Sequence, residues 1–317
     1  MRSPDRLWDR GGPEMVRPVA QGRRPANFLS SEGLFAWLMI SPGLVLMVGL
    51  GTLPLVFLVS LSFFRINLTN PAGNRWAGLQ NYIRLLADGQ FWNSMQVTAI
   101  YTISGVALQI VIGMALALFL FRVFPGRKLL RTLIILPVIL APIVVGMLWR
   151  TLLLTPRFGV LDYISYSIGL GSHEWLTNSR LALLSIIVIH VWQWTPFAFL
   201  VFMASLHALP AEPLEAARLD CRSWWQELWY VILPLMGPAI VIVAILRTIA
   251  ALNAFAAIYA ATEGGPGIAT QILNLYIHNT AFVGLSIGYG SALGTVQLLI
   301  TVGVALLFFR FRMRTAQ

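Results

Sequence analysis

Long apolar runs, separated by shorter polar segments, repeat along the chain from residue 34 to residue 309. The runs contain very few charged residues, and most reach the roughly 20 apolar residues that an α-helix needs to cross a bilayer. The pattern therefore predicts an all-α integral membrane protein with about six transmembrane helices. The predicted spans are 34–64, 92–121, 132–149, 181–209, 231–261 and 281–309.

Composition supports this fold class. Hydrophobic residues make up 58% of the 317 residues and charged residues only 11%, whereas a soluble domain is about a quarter charged. The first thirty residues are polar and rich in Pro, Gly and Arg, which predicts a loosely held tail. A cleavable signal peptide is not expected, because the first apolar run is too long and starts too late. Residues 31–317 are predicted to form one transmembrane domain.

The net charge of +10 follows the predicted membrane topology. Basic residues concentrate in the N-terminal tail, in 122–131, in 210–230 and after the last run, so a nucleic-acid partner is not predicted. By the positive-inside rule these segments, and therefore both termini, are expected in the cytoplasm. Cys221 is the only cysteine, which excludes an intramolecular disulfide and a cysteine-cluster metal site. No metal site is predicted.

Several polar and aromatic residues interrupt the fourth and fifth runs. Ionisable and amide groups inside a membrane are costly, so they are candidates for function. Aromatic faces and amides are groups that bind sugars, and the cluster therefore predicts part of a substrate path. The tryptophans could instead form an interfacial belt, the histidine a satisfied buried site, and the arginine a packing or gating contact. The candidates are His190, Trp192, Gln193, Trp194, Arg247 and Asn253.

The most charged segment of the apolar part runs from Leu209 to Pro234. Pro213 suits the first turn of a short helix, because a missing N–H costs nothing there. Ser223 and Gln226 form a capping-box pattern that opens a second short helix. Pro234 is expected to stop regular hydrogen bonding near the end of that helix. The segment predicts a helix-turn-helix that a partner could grip, with an ordinary solvated loop as the alternative.

Three motifs resemble those of ABC-importer permeases, and the last two resemble the MalF-like permeases of carbohydrate importers. The likeness covers roughly residue 34 to the end. One position departs from the family: Cys221 stands where Gly is usual, and because Gly supplies positive φ cheaply, we expect the turn there to be built differently. In chain order the motifs are Glu215-Ala216-Ala217 with Asp220 and Leu233-Pro234 (the EAA loop), Thr262-Glu263-Gly264-Gly265-Pro266-Gly267 with Thr270, and Gly288-Tyr289-Gly290-Ser291-Ala292.

The resemblance implies the membrane subunit of a type I ABC importer with a MetI-like fold, located in a bacterial inner membrane. Besides the membrane lipid around it, it implies four kinds of partner: an ABC ATPase dimer, a second homologous permease, an extracytoplasmic sugar-binding protein and a carbohydrate substrate. The short helix that contains Glu215 would be the coupling helix of the family. It is expected to bind the ATPase, with Glu215 as the anchoring charge. Ala216 and Ala217 would allow close approach, while Asp220, Cys221 and Pro234 would shape the turn. Gly264, Gly265 and Pro266 would lie where the binding protein docks, although a plain interhelical turn is equally compatible with these residues.

The sequence contains no motif for chemistry of its own. A P-loop, a GxSxG elbow, an HExxH motif and a carboxylate pair in the spans are all missing. We therefore expect a transport subunit without an ATPase site and without a cofactor, with ATP and Mg²⁺ held by the partner. An importer for another solute class, a secondary transporter or channel, and a membrane enzyme remain as alternatives. An importer for another solute class would lack the T-x-GGP motif, which begins here at Thr262. A secondary transporter or channel should show inverted repeats and membrane carboxylates.

Overall fold

A computed structural model of the chain describes residues 31–315, and the predicted tail 1–30 lies outside the described residues. Helices dominate it, with one short β-hairpin. The elements in chain order are α1 Ser31–Ser62, β1 Phe64–Arg65, a 3₁₀ turn Pro71–Gly73, β2 Arg75–Trp76, α2 Gln80–Leu86, α3 Gly89–Phe121, α4 Arg127–Ile139, α5 Pro142–Leu148, a π-helical turn Trp149–Leu153, α6 Val160–Ser167, α7 Ser179–His207, α8 Ala211–Asp220, α9 Trp224–Glu227, a π-helical turn Leu228–Ile232, α10 Leu233–Leu252, α11 Ala256–Thr262, α12 Leu273–His278, a π-helical turn Asn279–Val283 and α13 Ile287–Thr315.

The described residues divide into two units, 31–55 and 56–315. In the first unit the structure describes residues 31–55, a continuous stretch of α1 whose large apolar side chains, such as those of Trp37 and Leu50, are exposed. The second unit contains the remaining helices and the sites described below.

Within the described residues, five helical stretches are long and apolar enough to cross a membrane. The helix pair Arg127–Ile139 and Pro142–Leu153 passes the same test jointly, which gives six spans if this pair counts as one. The predicted all-α fold with about six apolar helices is therefore confirmed. The five stretches are Trp37–Ser62, Gly89–Phe121, Ser179–His207, Trp224–Leu252 and Ile287–Arg310.

The predicted third span, 132–149, consists of two helices with a sharp bend between them. Helices α4 and α5 meet at an angle of 103°, and Leu140 and Ala141 between them are extended. Pro142 explains the position of the break, because proline disfavours the α conformation of the residue before it and is well placed at the first position of a new helix. Pro137, the other proline of the run, lies inside α4.

The predicted fifth span, 231–261, also consists of two helices. Helix α10 ends at Leu252 and α11 begins at Ala256. The break frees backbone carbonyls, and side-chain amides satisfy them: Asn274 donates to the carbonyls of Leu252 and Ala254, and Gln297 donates to that of Leu252 at 2.7 Å. Irregular backbone at membrane depth requires such internal partners.

Helices α3 and α7 pack closely at two glycines of α3. A β-carbon at Gly105 would lie 2.7 Å from Cδ2 of His190, and one at Gly113 would lie 2.8 Å from Cβ of Ala198. Small residues permit such close approach where apolar burial alone does not drive helix association. The two helices hold much of the buried core, including the fully buried Phe199.

The start of α13 packs against the hairpin through the third family-like motif. A β-carbon at Gly288 would lie 2.0 Å from the carbonyl oxygen of Phe64, and one at Gly290 would lie 2.7 Å from Cβ of Ala281. The backbone N–H of Gly288 donates to Ile66 at 3.1 Å. The two glycines of this motif are therefore required by close backbone contacts, and not by the turn chemistry that glycine often serves.

Candidate coupling helix and substrate path

Helix α8 presents one exposed face and buries the opposite one. Glu215, Ala216 and Leu219 are exposed, Leu219 at 88%, and their spacing of one and four residues places them on one side of the helix. Ala217 is buried at 5% exposure. Leu214 packs against the core formed by α3, α7 and α10. The two alanines predicted to allow close approach therefore lie in different surroundings, and of the two only Ala216 is accessible to a partner.

Leu219 is the feature of this helix that sequence reasoning missed. A leucine with 88% of its surface exposed is costly in water, and the helical spacing from Glu215 was the signal that could have identified it. Next to it Asp220 is also exposed, and among the described residues its carboxylate accepts no hydrogen bond and forms no ion pair. The predicted role of Asp220 in holding the turn therefore has no hydrogen bond to support it.

The turn after α8 is built without a left-handed residue. Cys221 has φ −85° and ψ 127°, an extended conformation that any residue adopts, and its N–H donates to Ala217 at 2.8 Å. Ser223 caps the next helix by accepting from the N–H of Gln226, whose side chain accepts in return from the N–H of Arg222 at 2.8 Å. The predicted capping box is thus present in a form shifted by one residue. Cys221 fits this turn without strain.

Pro234 does not end the second short helix, contrary to the prediction. The helix runs without interruption from Trp224 to Leu252, and Pro234 lies two positions after the end of the π-helical turn Leu228–Ile232. Proline cannot donate to the carbonyl one turn earlier and its ring clashes there. The π turn widens the helix just before this proline. π turns of a single turn also occur inside other α-helices.

The interior candidates separate into groups. Arg247 is buried at 3% exposure, and its Nε donates to Oε1 of Gln109 at 2.9 Å. The amide of Gln109 donates in turn to the carbonyl of His190 at 3.2 Å. The guanidinium of Arg247 also lies 4.3 Å from the ring centre of Trp194, a cation–π contact. These contacts link α3, α7 and α10 in one polar cluster.

Gln109 and Tyr101 belong to this cluster, and sequence reasoning missed both. The ring of Tyr101 lies 4.6 Å from that of His190. An amide in an otherwise apolar run, such as Gln109, was the available signal. Nη2 of Arg247 and Nε2 of His190 are buried and have no partner within the described part of the chain. A buried cation held by a neutral amide is an unusual arrangement, because an ion in an apolar interior normally has a counter-ion.

The other three candidates do not join the cluster. Gln193 is buried and donates to the carbonyl of Leu140, one of the groups freed by the bend between α4 and α5, at 3.2 Å. Trp192 is 36% exposed and packs edge-on against Trp149. Asn253 is exposed at the end of α10, and its amide donates back to Ile249 at 2.8 Å. Gln193 therefore has a structural contact, whereas Asn253 and Trp192 keep accessible surface.

The predicted docking turn is rigid and largely turned inward. The hydroxyls of Thr262 and Thr270 lie 2.7 Å apart, and Thr270 donates to the carbonyl of Gly265. Gly264 has φ +92° and is buried, which requires glycine. Gly265 and Pro266 are half-buried, so the accessible surface of the loop is at its flanks, on Glu263 and Gly267.

Two aspartates on the other polar segments are enclosed by donors. Asp162 is inaccessible to solvent. Hydrogen bonds from the His173 N–H, the Ser172 hydroxyl, the Arg157 N–H and the Trp175 indole hold its pKa well below the ordinary range. The sequence contained this aspartate in a loop but gave no signal for its partners.

Asp88 caps α3 and joins it to α12 and α13. Its carboxylate accepts from the N–H groups of Gln90 and Phe91 and from the hydroxyls of Tyr276 and Tyr289. Partial burial alone would raise the pKa of Asp88, but these hydrogen bonds outweigh it and the pKa is lowered. Burial and the bond to Asp88 raise the pKa of Tyr276 to about 12, so this hydroxyl remains a donor at neutral pH.

The chain is similar in sequence to known membrane permeases. The inner membrane ABC transporter permease protein YcjO of Escherichia coli (strain K12) is 32% identical over 281 residues, covering 87% of this chain and 94% of the relative. The trehalose/maltose transport system permease protein MalF of Thermococcus litoralis is 31% identical over 88% of this chain and 94% of its own.

A crystal structure of a bacterial ABC transporter involved in the import of the acidic polysaccharide alginate matches with a TM-score of 0.79. It covers 90% of this chain and 97% of that chain at 20% sequence identity, and so supports the fold. Residues 109–314 match the family described as "Binding-protein-dependent transport system inner membrane component". The EAA-like helix, the paired glycines of the last helix and the broken spans thus lie in a chain that belongs to the family of inner membrane permease components of binding-protein-dependent ABC transport systems.

Proposed function

We propose that this chain is one of two homologous permease subunits of an ATP-driven sugar importer, and that it forms part of the translocation path by alternating access. Family membership and the similarity to a trehalose/maltose permease support the sugar class. An ABC ATPase dimer would bind ATP and Mg²⁺ and hydrolyse the nucleotide. A sugar-binding protein outside the membrane would deliver the substrate. This chain would contribute no ATPase site and no cofactor.

The observation that carries the coupling proposal is the division of α8 into two faces. Leu214 packs against the core of α3, α7 and α10 and Ala217 is buried, while Glu215 and Leu219 are exposed. A short helix that packs against the spans on one side can transmit to them the movement of a partner bound on its other side. An exposed carboxylate beside an exposed leucine suits a partner groove with a cationic or N–H donor at its edge and an apolar floor.

Copurification tests this assignment. The chain is purified in mild detergent together with its partners, and the partners are identified by mass. Glu215→Ala and Leu219→Ala are expected to lower ATPase retention or binding-protein-stimulated ATP hydrolysis by about tenfold, which corresponds to about 1.4 kcal/mol of lost contact. Glu174→Ala, an exposed glutamate on the segment before α7, is the matched control. A chain that purifies alone and transports without ATP would contradict the proposal.

For the substrate path we propose that Asn253 and Trp192 contact sugar, and that Arg247 organises the helices around it. Arg247 is buried by Gln109 and Trp194, so in this conformation its charge is not available to a solute. Binding of an acidic or phosphorylated sugar by Arg247 would require the cluster to open. Uptake assays on Arg247→Ala and Asn253→Ala separate the roles. Loss of transport of every sugar by the first, with altered sugar preference in the second, supports this division.

Membrane orientation is the remaining part of the proposal: both termini and α8 are assigned to the cytoplasm. Cys221 provides a native probe, because it is the only cysteine and is partly exposed in the turn after α8. A membrane-impermeant maleimide is expected to label it in inverted vesicles but not in intact cells. Glu263→Cys, at an exposed position of the T-x-GGP-like loop, in a Cys221→Ser background should show the opposite pattern. Labelling of Cys221 from outside would reverse the orientation.

A further inference from the structure

A segment between two apolar helices, residues 62–88, folds into a fixed elbow. The amide of Asn81 donates to the carbonyls of Ser62 and Phe64 at 2.7 and 2.9 Å, and the hydroxyls of Ser62 and Tyr82 lie 2.6 Å apart. Strands β1 and β2 pair antiparallel within this segment. The backbone contact of Gly288 with Phe64 attaches the start of α13 to it.

A cavity of about 290 Å³ lies between this elbow and the start of α13. Two guanidinium groups, from Arg65 and Arg84, line it together with amides and the hydroxyl of Ser286. None of its described lining residues is acidic, and neither arginine forms an ion pair with another described residue. The cavity therefore offers donors and positive charge, which is the environment that an anionic oxygen group requires.

An aromatic ring, and not a carboxylate, positions the arginine beside α13. The guanidinium of Arg84 lies 4.2 Å from the ring centre of Tyr289. The hydroxyl at the far end of that ring donates to Asp88, whose carboxylate is further occupied by the hydroxyl of Tyr276 and two backbone N–H groups. Asp88 thus fixes the platform under Arg84 while its oxygens are used elsewhere. The N–H groups of the guanidinium stay available to a ligand.

Next to the face that carries Arg84, α2 has an apolar, exposed face. Leu79, Ile83 and Leu86 are 62%, 66% and 66% exposed, and their spacing places them on one face of α2. Trp76 and Trp92, exposed at 64% and 54%, flank this apolar stripe. An amphipathic segment with tryptophans at the ends of membrane-crossing helices lies at the bilayer surface, the level of lipid phosphates.

We propose that the cavity binds the phosphodiester group of an anionic membrane lipid, whose acyl chains lie along the apolar stripe of α2. The guanidiniums of Arg65 and Arg84 would hold the phosphate oxygens. This proposal requires only that the chain lies in a membrane, and it does not depend on the sugar-importer assignment. A carboxylate of a docked extracytoplasmic protein would suit the same donors, but it would leave the exposed stripe unexplained, so the lipid is favoured.

Native mass spectrometry of the purified full chain, with its partners if they copurify, tests the proposal. Phosphatidylglycerol and phosphatidylcholine with identical acyl chains are titrated separately. Phosphatidylglycerol is expected to bind about tenfold more tightly, and the double variant Arg65→Gln/Arg84→Gln should abolish this preference, because two charge-assisted contacts are lost. Arg157→Gln/Arg180→Gln removes the same charge from two other exposed arginines and should retain the preference.

Two further measurements distinguish the sources of the anion. Inorganic phosphate in large excess should displace little lipid, whereas complete displacement would identify a site for soluble anions and overturn the proposal. Unchanged lipid preference in the double variant, especially with weakened association of an extracytoplasmic protein, would overturn it in favour of protein docking. Thermal unfolding in zwitterionic detergent checks that the variants fold, and Arg84→Lys, which keeps the charge but not the fork of donors, should retain part of the preference.

Discussion

Asp162 and Glu215 lie in short helices outside the apolar spans, yet their surroundings differ. Asp162 is inaccessible and accepts four hydrogen bonds from its own chain. Glu215 is exposed and accepts none from the described residues. The same holds for Asp88, enclosed by two tyrosines, against Asp220. An enclosed carboxylate holds its own loop together, whereas an exposed one on a rigid helix is available to a partner. We therefore expect Asp162 and Asp88 to contribute to the stability of the fold, and Glu215 and Asp220 to contribute to partner binding.

Replacing Asp162 by Asn gives the largest expected loss of stability. The amide keeps one acceptor oxygen, but its NH2 group replaces the other. It therefore faces either the Arg157 and Ser172 donors or the His173 and Trp175 donors, which leaves buried polar groups unsatisfied. We expect the Tm of the purified protein to fall by several degrees. Ser172→Ala, which removes a single donor, should have a smaller effect. Equal Tm values for wild type and Asp162→Asn would show that this loop contributes nothing to stability.

The same pair of proteins gives a prediction of pH dependence. Hydrogen bonds lower the folded-state pKa of Asp162 below the unfolded value of about 3.9, so its stabilisation is fully present above that value and is lost as pH falls towards the folded pKa. The Tm difference between wild type and Asp162→Asn should be constant from about pH 5 to 8 and shrink below about pH 4. A difference that instead shrinks above pH 5 would contradict this assignment.

Replacing Asp88 by Asn should cost less, about 1–2 kcal/mol of unfolding free energy, because Asp88 is partly exposed and an amide oxygen still accepts from one tyrosine. Tyr289→Phe removes one of the two hydroxyl donors, and adding it to Asp88→Asn should cost little more. The coupling between the two changes is measured by a double-mutant cycle in chemical or thermal unfolding. Strictly additive losses would show that the two groups do not interact.

For the two exposed carboxylates, Glu215→Ala and Asp220→Ala should change the unfolding free energy by less than about 0.5 kcal/mol. Their effect should appear only with the ATPase present, as reduced stimulated hydrolysis. A substantial drop in Tm for either variant in the isolated chain would place it with Asp88 and Asp162 as a structural carboxylate. Normal coupling in Glu215→Ala would leave Leu219 as the main contact of α8.

Several local features followed from the sequence. The apolar runs indicated about six membrane helices, and Ser223 and Gln226 marked the start of α9. These features depend on neighbouring residues or on a period of one helical turn, both of which are visible in one sequence. The effect of a proline inside an apolar run was harder to predict. The span that contains Pro142 is broken there, whereas the helix that contains Pro234 is continuous and has a π turn just before it.

The sequence by itself determined the fold class, the apolar helices and the segment that is available to a partner, since hydropathy and helical spacing are local properties. Only the tertiary structure decided which polar groups meet. Arg247 pairs with Gln109, 138 residues away, and Tyr289 donates to Asp88 across 201 residues. Such contacts arise because buried polar groups in a membrane must find partners inside the protein, and chain packing alone determines which partner lies within reach.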